Sequence, residues 1–227
     1  MSEFMQYPDR VILMVDLAEV VAAQLNTAIT ARGQASLAVP GGSTPGPFLR
    51  ALAGQDVAWE KVSVLLSDER FVDEASPRSN TRLLKETLLQ GNAAAARLVP
   101  MVLAGDTPEE VLDALITGLK PALPLDVLVL GMGEDMHTAS LFPGADRLDE
   151  ALAGDAPPLL PMRARGAGEP RITLTAPVLR AAKNVHVLIV GPAKIAALEK
   201  ALIDGPEAEA PVRVVLNLPN TEIHYAE

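Results

Sequence analysis

Two stretches of this chain, Leu125–Gly131 (LDVLVLG) and Asn184–Gly191 (NVHVLIVG), are apolar at nearly every position. A strand with one wet face alternates apolar and polar residues. A strand that does not alternate must be covered on both faces, and a parallel sheet flanked by helices provides that cover. The rest of the chain keeps the same rhythm. ASLAV (Ala35–Val39) and KVSVLLS (Lys61–Ser67) are further short apolar runs, and RVILMV (Arg10–Val15) reads as another strand. Helix-type segments lie between them. One starts at Asp16 as cap and stops at Gly33, and one starts at Ser43 or Thr44. One runs from Ser79 or Asn80 to Gly91, one has Thr107 as cap with Pro108 in its first turn, and one follows Gly191. This alternation predicts an α/β fold: a doubly wound, Rossmann-like, mostly parallel sheet with helices on both faces, formed by residues 1–227 as a single domain. Leu152–Pro170, rich in Pro, Gly and Arg, interrupts the rhythm and reads as a long loop. Two short segments, VRVVLNLP and TEIHYA, close the chain.

Composition narrows the function classes. Of 227 residues, 49% are hydrophobic, enough for a sizeable core, but only 3% are aromatic, so platforms for stacking bases are scarce. The formal net charge of −10 sets aside nucleic acid and anionic membrane as partners. An anionic ligand would need a local cluster of Arg and Lys. The absence of Cys removes disulfides, thiolate nucleophiles and Cys-based zinc sites, and it is compatible with a reducing compartment. The first residues carry acids and no basic stretch ahead of an apolar core, unlike a signal peptide, and no apolar run approaches the ~18 residues of a membrane span. A cytoplasmic protein is expected.

In such sheets ligands sit at the carboxyl ends of the strands, and three loops expected there carry chemistry. PGGSTPG (Pro40–Gly46) combines glycines with a helix start. It is either an ordinary strand-to-helix turn or a cradle for a phosphate. SDERF (Ser67–Phe71) is either a solvated loop end or part of a site. The sharpest signal is GMGEDMHTAS (Gly131–Ser140), where Asp135 and His137 stand two apart near an expected helix start. A carboxylate that orients an imidazole is the arrangement a general base needs. His186 and His224 show neither HxH nor HExxH spacing and read as structural, with no metal expected. Lys194 falls in the first turn of a helix, where the dipole disfavours a cation, which hints at an anion nearby.

Together these pieces resemble the 6-phosphogluconolactonase family, within the superfamily that includes glucosamine-6-phosphate deaminase. The matching blocks are VPGGSTP, LLSDERFVDEASPRSNTRLL, DVLVLGMGEDMHTASLFPG, PRITLTAPVL and GPAKIAALEKAL, in the family's order. The resemblance implies hydrolysis of 6-phospho-D-glucono-1,5-lactone, a phosphorylated sugar lactone, without metal or nucleotide cofactor. It implies that His137 activates water beside Asp135, and that Asp68 and Arg70 line the site. It also implies that Gly41, Gly42, Ser43, Thr44, Arg171 and Lys194 hold the substrate phosphate. One departure stands out: the family's usual Asp-Gly-His-Thr reads Asp135-Met136-His137-Thr138 here. Two rival readings remain. A deaminase would need a proton-carrying acid before Pro143-Gly144, where this chain has Phe142. A non-catalytic sugar-phosphate-binding module would keep the phosphate loop and lose the reaction.

Overall fold

The computed structural model describes residues 2–227. In chain order the elements are β1 (Glu3–Gln6), α1 (Arg10–Arg32), β2 (Ala35–Val39), α2 (Gly46–Ala53), β3 (Val62–Leu66), β4 (Asp68–Arg70), α3 (Asn80–Thr87), β5 (Arg97–Leu98) and α4 (Pro108–Leu119). They continue with β6 (Val127–Gly131), α5 (Leu148–Leu152), β7 (Leu159–Met162), β8 (Arg171–Leu174), α6 (Ala176–Arg180), β9 (Asn184–Val190), α7 (Pro192–Ala201), α8 (Arg213–Leu216) and β10 (Thr221–Ala226).

Seven strands form one sheet in the order β1-β10-β9-β6-β2-β3-β5, and every pairing is parallel. The expected α/β architecture is present. The non-alternating runs occupy its centre: all five residues of β2 and Val127–Leu130 of β6 are buried. The edges are short, two residues in β5 and four in β1, which limits the unpaired backbone offered to other chains. The chain winds outward from β2 through β3 to β5, then returns to place β6 on the other side of β2. That reversal opens a crevice at the carboxyl ends of β2 and β6, where such folds bind ligands.

The structure corrects the sequence reading in several places. RVILMV is not a strand but the first turns of α1, which starts six residues before the expected cap. Asp9, not Asp16, caps it, accepting from the Ile12 amide at 2.9 Å. Leu13, Met14, Leu17, Ala18, Val21, Ala22 and Leu25 are its buried face, at helical spacing. Val11, Ile12 and Val15 are exposed, and these solvent-side apolar residues hid the period. At 23 residues α1 is long and apolar enough to cross a bilayer by length and composition. In the fold its buried face packs against β2, β6 and β10. Gly33, in the left-handed region at φ 77°, ends it as expected. The expected long loop contains β7, which joins β8 and β4 in a second, antiparallel sheet. Pro161 and a length of four residues hid that strand.

Candidate active site

At the crevice the loops after β2, β3 and β6 meet the start of α7 around a cavity of about 210 Å³. Its walls include Gly41, Gly42, Ser43, Thr44, Asp68, Arg70, His137, Arg171 and Lys194. Nine of the ten residues singled out in the sequence are therefore brought together. The tenth, Asp135, stands behind His137.

On the first wall, neither Ser43 nor Thr44 caps α2. That helix starts at Gly46 with Pro45 before it and no side-chain cap. The Gly41–Thr44 segment therefore faces the cavity as loop, with Gly42 at φ 90°. Gly41 is required for room, since a Cβ there would lie 2.0 Å from the Asn80 side chain. Asn80 in turn donates to the Asp68 carbonyl at 3.1 Å and also lines the cavity. The sequence reading took Asn80 only as a possible cap. Ser79 is the cap, accepting from the Arg82 amide.

The DER segment divides its labour. Asp68 is buried and accepts from Ser67 Oγ at 3.2 Å and Ser140 Oγ at 2.5 Å, with Arg171 Nη1 3.6 Å away. Glu69 turns away from the cavity. It accepts from the Asn80 and Thr81 amides at 2.8 and 2.6 Å, tying β4 to the start of α3. Arg70 donates to the Arg78 carbonyl at 2.5 Å and Arg171 to the Ala167 carbonyl at 3.2 Å. The Nε of each is a buried donor with no acceptor among the described residues. Burial pulls the Arg171 guanidinium below its ordinary pKa. The Asp68 carboxylate opposes that fall and Arg70 adds to it. Two converging guanidiniums with unpaired donors, plus Lys194, favour a polyanionic oxygen ligand.

The opposite wall is the turn after β6. No helix starts beside His137; the next one, α5, begins at Leu148. Instead the backbone folds tightly, with Met136 at φ 66° and Ala139 at φ 49°. Hydrogen bonds fix it: Met136 N to Gly133 O at 3.0 Å, Gly133 N to His137 O at 2.9 Å and Val212 N to Met136 O at 3.1 Å. Thr138 Oγ1 donates to the Gly131 carbonyl at 2.8 Å. Met136 therefore adopts the left-handed conformation for which the family's glycine is suited, at a cost of about 1–2 kcal/mol. Gly133 is indispensable here, because a Cβ would lie 2.1 Å from His137 Nδ1 and 2.3 Å from Asp135 Oδ1.

His137 Nδ1 lies 2.5 Å from Asp135 Oδ1, and the His137 amide donates to the same oxygen at 3.2 Å. Burial pushes the Asp135 carboxyl up, but the His137 charge and hydrogen bonds outweigh it, and the carboxyl lies below its ordinary value. The carboxylate thus fixes the tautomer with the proton on Nδ1 and leaves Nε2 with its lone pair. Phe142 packs its ring 4.3 Å from the imidazole, and the Arg171 guanidinium lies 5.2 Å over the same ring. Phe142 thereby links base and cation. The sequence reading used it only against the deaminase. The sequence assigns Ser140 no role, because its partner, Asp68, is 72 residues away.

Residues 8–224 match the family model of glucosamine-6-phosphate isomerases/6-phosphogluconolactonase. The chain is 49% identical over 203 residues to a 6-phosphogluconolactonase of Rhizobium meliloti, covering 88% of this chain and 87% of the relative. It is 47% identical to that of Mesorhizobium japonicum, covering 93% and 89%. The crystal structure of a 6-phosphogluconolactonase from Shewanella baltica superposes with a TM-score of 0.94 at 32% identity, covering 100% of this chain and 98% of the other. With the fold, the crevice and the sequence in agreement, the chain belongs to the glucosamine-6-phosphate isomerase/6-phosphogluconolactonase family.

Proposed function

We propose that this chain is a 6-phosphogluconolactonase: a cytoplasmic, single-domain hydrolase that opens 6-phospho-D-glucono-1,5-lactone to 6-phosphogluconate. The observation that carries the reading is one small cavity with an oriented imidazole on one wall and three cations beside a glycine loop on the other. Arg70, Arg171, Lys194 and the Gly41–Thr44 segment bind the phosphate. Asp68, held by Ser67 and Ser140, sets the position of Arg171.

With the phosphate anchored, the lactone carbonyl lies toward His137. Nε2 takes a proton from water as the water oxygen bonds to the carbonyl carbon, and Asp135 stabilises the imidazolium. The tetrahedral intermediate collapses by breaking the bond to the ring oxygen. His137 returns the proton to that oxygen, which leaves as a hydroxyl on the same molecule. A cyclic ester is already electrophilic, so orientation and one base suffice. The name of the relatives supports this substrate, and Phe142 in place of an acid disfavours amino-sugar chemistry.

The test is hydrolysis of freshly made phospholactone against its spontaneous rate. We expect clear acceleration, poor activity on unphosphorylated gluconolactone and no ammonia from glucosamine 6-phosphate. Arg171→Ala or Lys194→Ala should weaken phosphogluconate binding by about 1.5–3 kcal/mol, the scale of a hydrogen bond to a charged group. Binding without acceleration would favour the non-catalytic module. Equal binding by wild type and variants would remove the phosphate site.

A further inference from the structure

A second cluster of titratable side chains lies away from the cavity, beneath α1. Glu222 and His224 alternate along β10, and His186 of β9 is the register partner of Glu222. All three therefore point to one face of the sheet. Both imidazoles are buried, and Glu222 is about one-third exposed. His186 Nδ1 and His224 Nε2 are 3.0 Å apart, and Glu222 Oε2 lies 3.5 Å from each.

The outer nitrogens are already occupied. His186 Nε2 is 2.8 Å from Gln24 Oε1 of α1, an acceptor, so this nitrogen carries the proton. His224 Nδ1 is 2.9 Å from Tyr7 Oη, a group that donates to or accepts from the ring according to its tautomer. Without an ion, Tyr7 donates to His224 Nδ1 and His224 Nε2 donates to His186 Nδ1, which leaves Glu222 Oε2 at 3.5 Å from both inner nitrogens, too far for a hydrogen bond to either. With the His224 proton on Nδ1 and donated to Tyr7, both inner nitrogens present lone pairs beside the carboxylate.

The triangle instead has the dimensions of a metal site. Ligand atoms about 2.0–2.1 Å from a tetrahedral ion are about 3.4 Å from one another. The point equidistant from the three observed atoms is about 1.9 Å from each, so an ion slightly out of their plane meets all three at those lengths. The outer-nitrogen partners on Gln24 and Tyr7 are the arrangement that orients metal-binding imidazoles. Two imidazoles and one carboxylate suit zinc-class divalent ions over calcium or magnesium.

We propose that His186, Glu222 and His224 form a binding site for a zinc-class divalent ion, with water as fourth ligand on the exposed side of Glu222. The site is separate from the proposed hydrolysis and stands whether or not that reading holds. Its role is structural: the ion bridges β9 and β10, and through Gln24 ties both to α1.

The full chain, stripped with chelator, would be titrated with Zn2+ by calorimetry and with Co2+ by visible absorption. One Zn2+ per chain, an intense four-coordinate Co2+ spectrum and a raised melting temperature are expected. Glu222→Gln, at a position that leaves the core intact, should weaken binding at least tenfold and abolish the thermal shift. His224→Gln should do the same if it folds. His137→Ala should bind Zn2+ as wild type does. The proposal is overturned by no stoichiometric binding, by binding that Glu222→Gln leaves unchanged, or by binding that disappears in His137→Ala.

Discussion

His137 and the His186–His224 pair are built in opposite ways from the same side chain. His137 sits on irregular backbone at the end of a strand, 29% exposed, with one nitrogen tied to Asp135 and the other without a partner among the described residues. His186 and His224 sit within regular strands, buried, and every ring nitrogen has a neighbour. An imidazole that must exchange protons with substrate needs a free lone pair, access and a partner that stabilises its charge. An imidazole that holds strands together needs neither access to substrate nor a partner for its charge. Burial beside His186 pulls the His224 pKa down to about 4, with burial the larger cause, so this ring stays neutral where enzymes commonly work. Strand-end loops can accommodate strained turns such as Met136 because the sheet beneath them does not depend on their conformation.

Substitutions should separate the two sites cleanly. The largest effect is expected at His137. Replacement by Ala should lower kcat at least ~10²-fold, the floor for losing a general base, while changing unfolding free energy by no more than about 0.5 kcal/mol. Retention of more than a tenth of the rate in a lactonase assay would remove His137 from the mechanism. His224→Ala inverts the pattern. It strands the buried His186 Nδ1 and takes a partner from the half-buried Tyr7 Oη, so denaturant unfolding with chelator present should show a loss of about 2–3 kcal/mol. A loss below about 0.5 kcal/mol would dissolve the contrast.

A smaller effect is expected at Asp135. Its carboxyl is held below the ordinary value, so it stays ionised until the pH falls well into the acid range. The stabilisation it gives the charged imidazole is present above that point and lost only as the pH falls through its lowered pKa. Asp135→Asn removes that stabilisation. The plateau of kcat/KM should fall by about tenfold or more, as ring orientation loosens and the charged imidazole loses its counter-charge. An unchanged plateau would remove Asp135 from the mechanism. The smallest effect is expected at Met136. Met136→Gly should relieve positive-φ strain, raising unfolding free energy by up to about 1 kcal/mol, and should change kcat/KM by less than about tenfold. If the glycine variant accelerates hydrolysis and the natural chain does not, Met136 marks loss of the reaction.

Legibility in the sequence followed the range of the forces involved. β2 could be read to the residue, because ASLAV, with Ser36 its one polar residue, lies between Gly33-Gln34 and Pro40. The catalytic turn was legible because Asp135 and His137 are two residues apart. What stayed hidden was decided at a distance. The antiparallel sheet pairs β4 with β8 across about a hundred residues in strands of three and four. The Ser140–Asp68 bond joins a loop to β4 across 72 residues. Glu222 and His224 carried a faint signal, two ligand-type residues on one face of a strand, but His186 joins them only through sheet register. The start of α1 was misread because exposed Val11, Ile12 and Val15 masked a helical stripe with local apolarity.

The pairing of β1 with β10 has a meaning in time as well as in space. Among the described residues Glu3–Gln6 pairs only with β10, so it finds its neighbour once residues 221–226 exist. At synthesis rates of roughly 5–20 residues per second, β1 waits on the order of 10–40 s for β10. During that interval the nascent chain carries an unmatched ribbon. The ribbon is four residues long, with Glu3 and Gln6 flanking Phe4 and Met5, too short and too polar to recruit a neighbouring nascent chain. Closing the sheet at β1 is thus deferred until β10 has been made, and a ribosome that stalls between the two leaves β1 with nowhere to go.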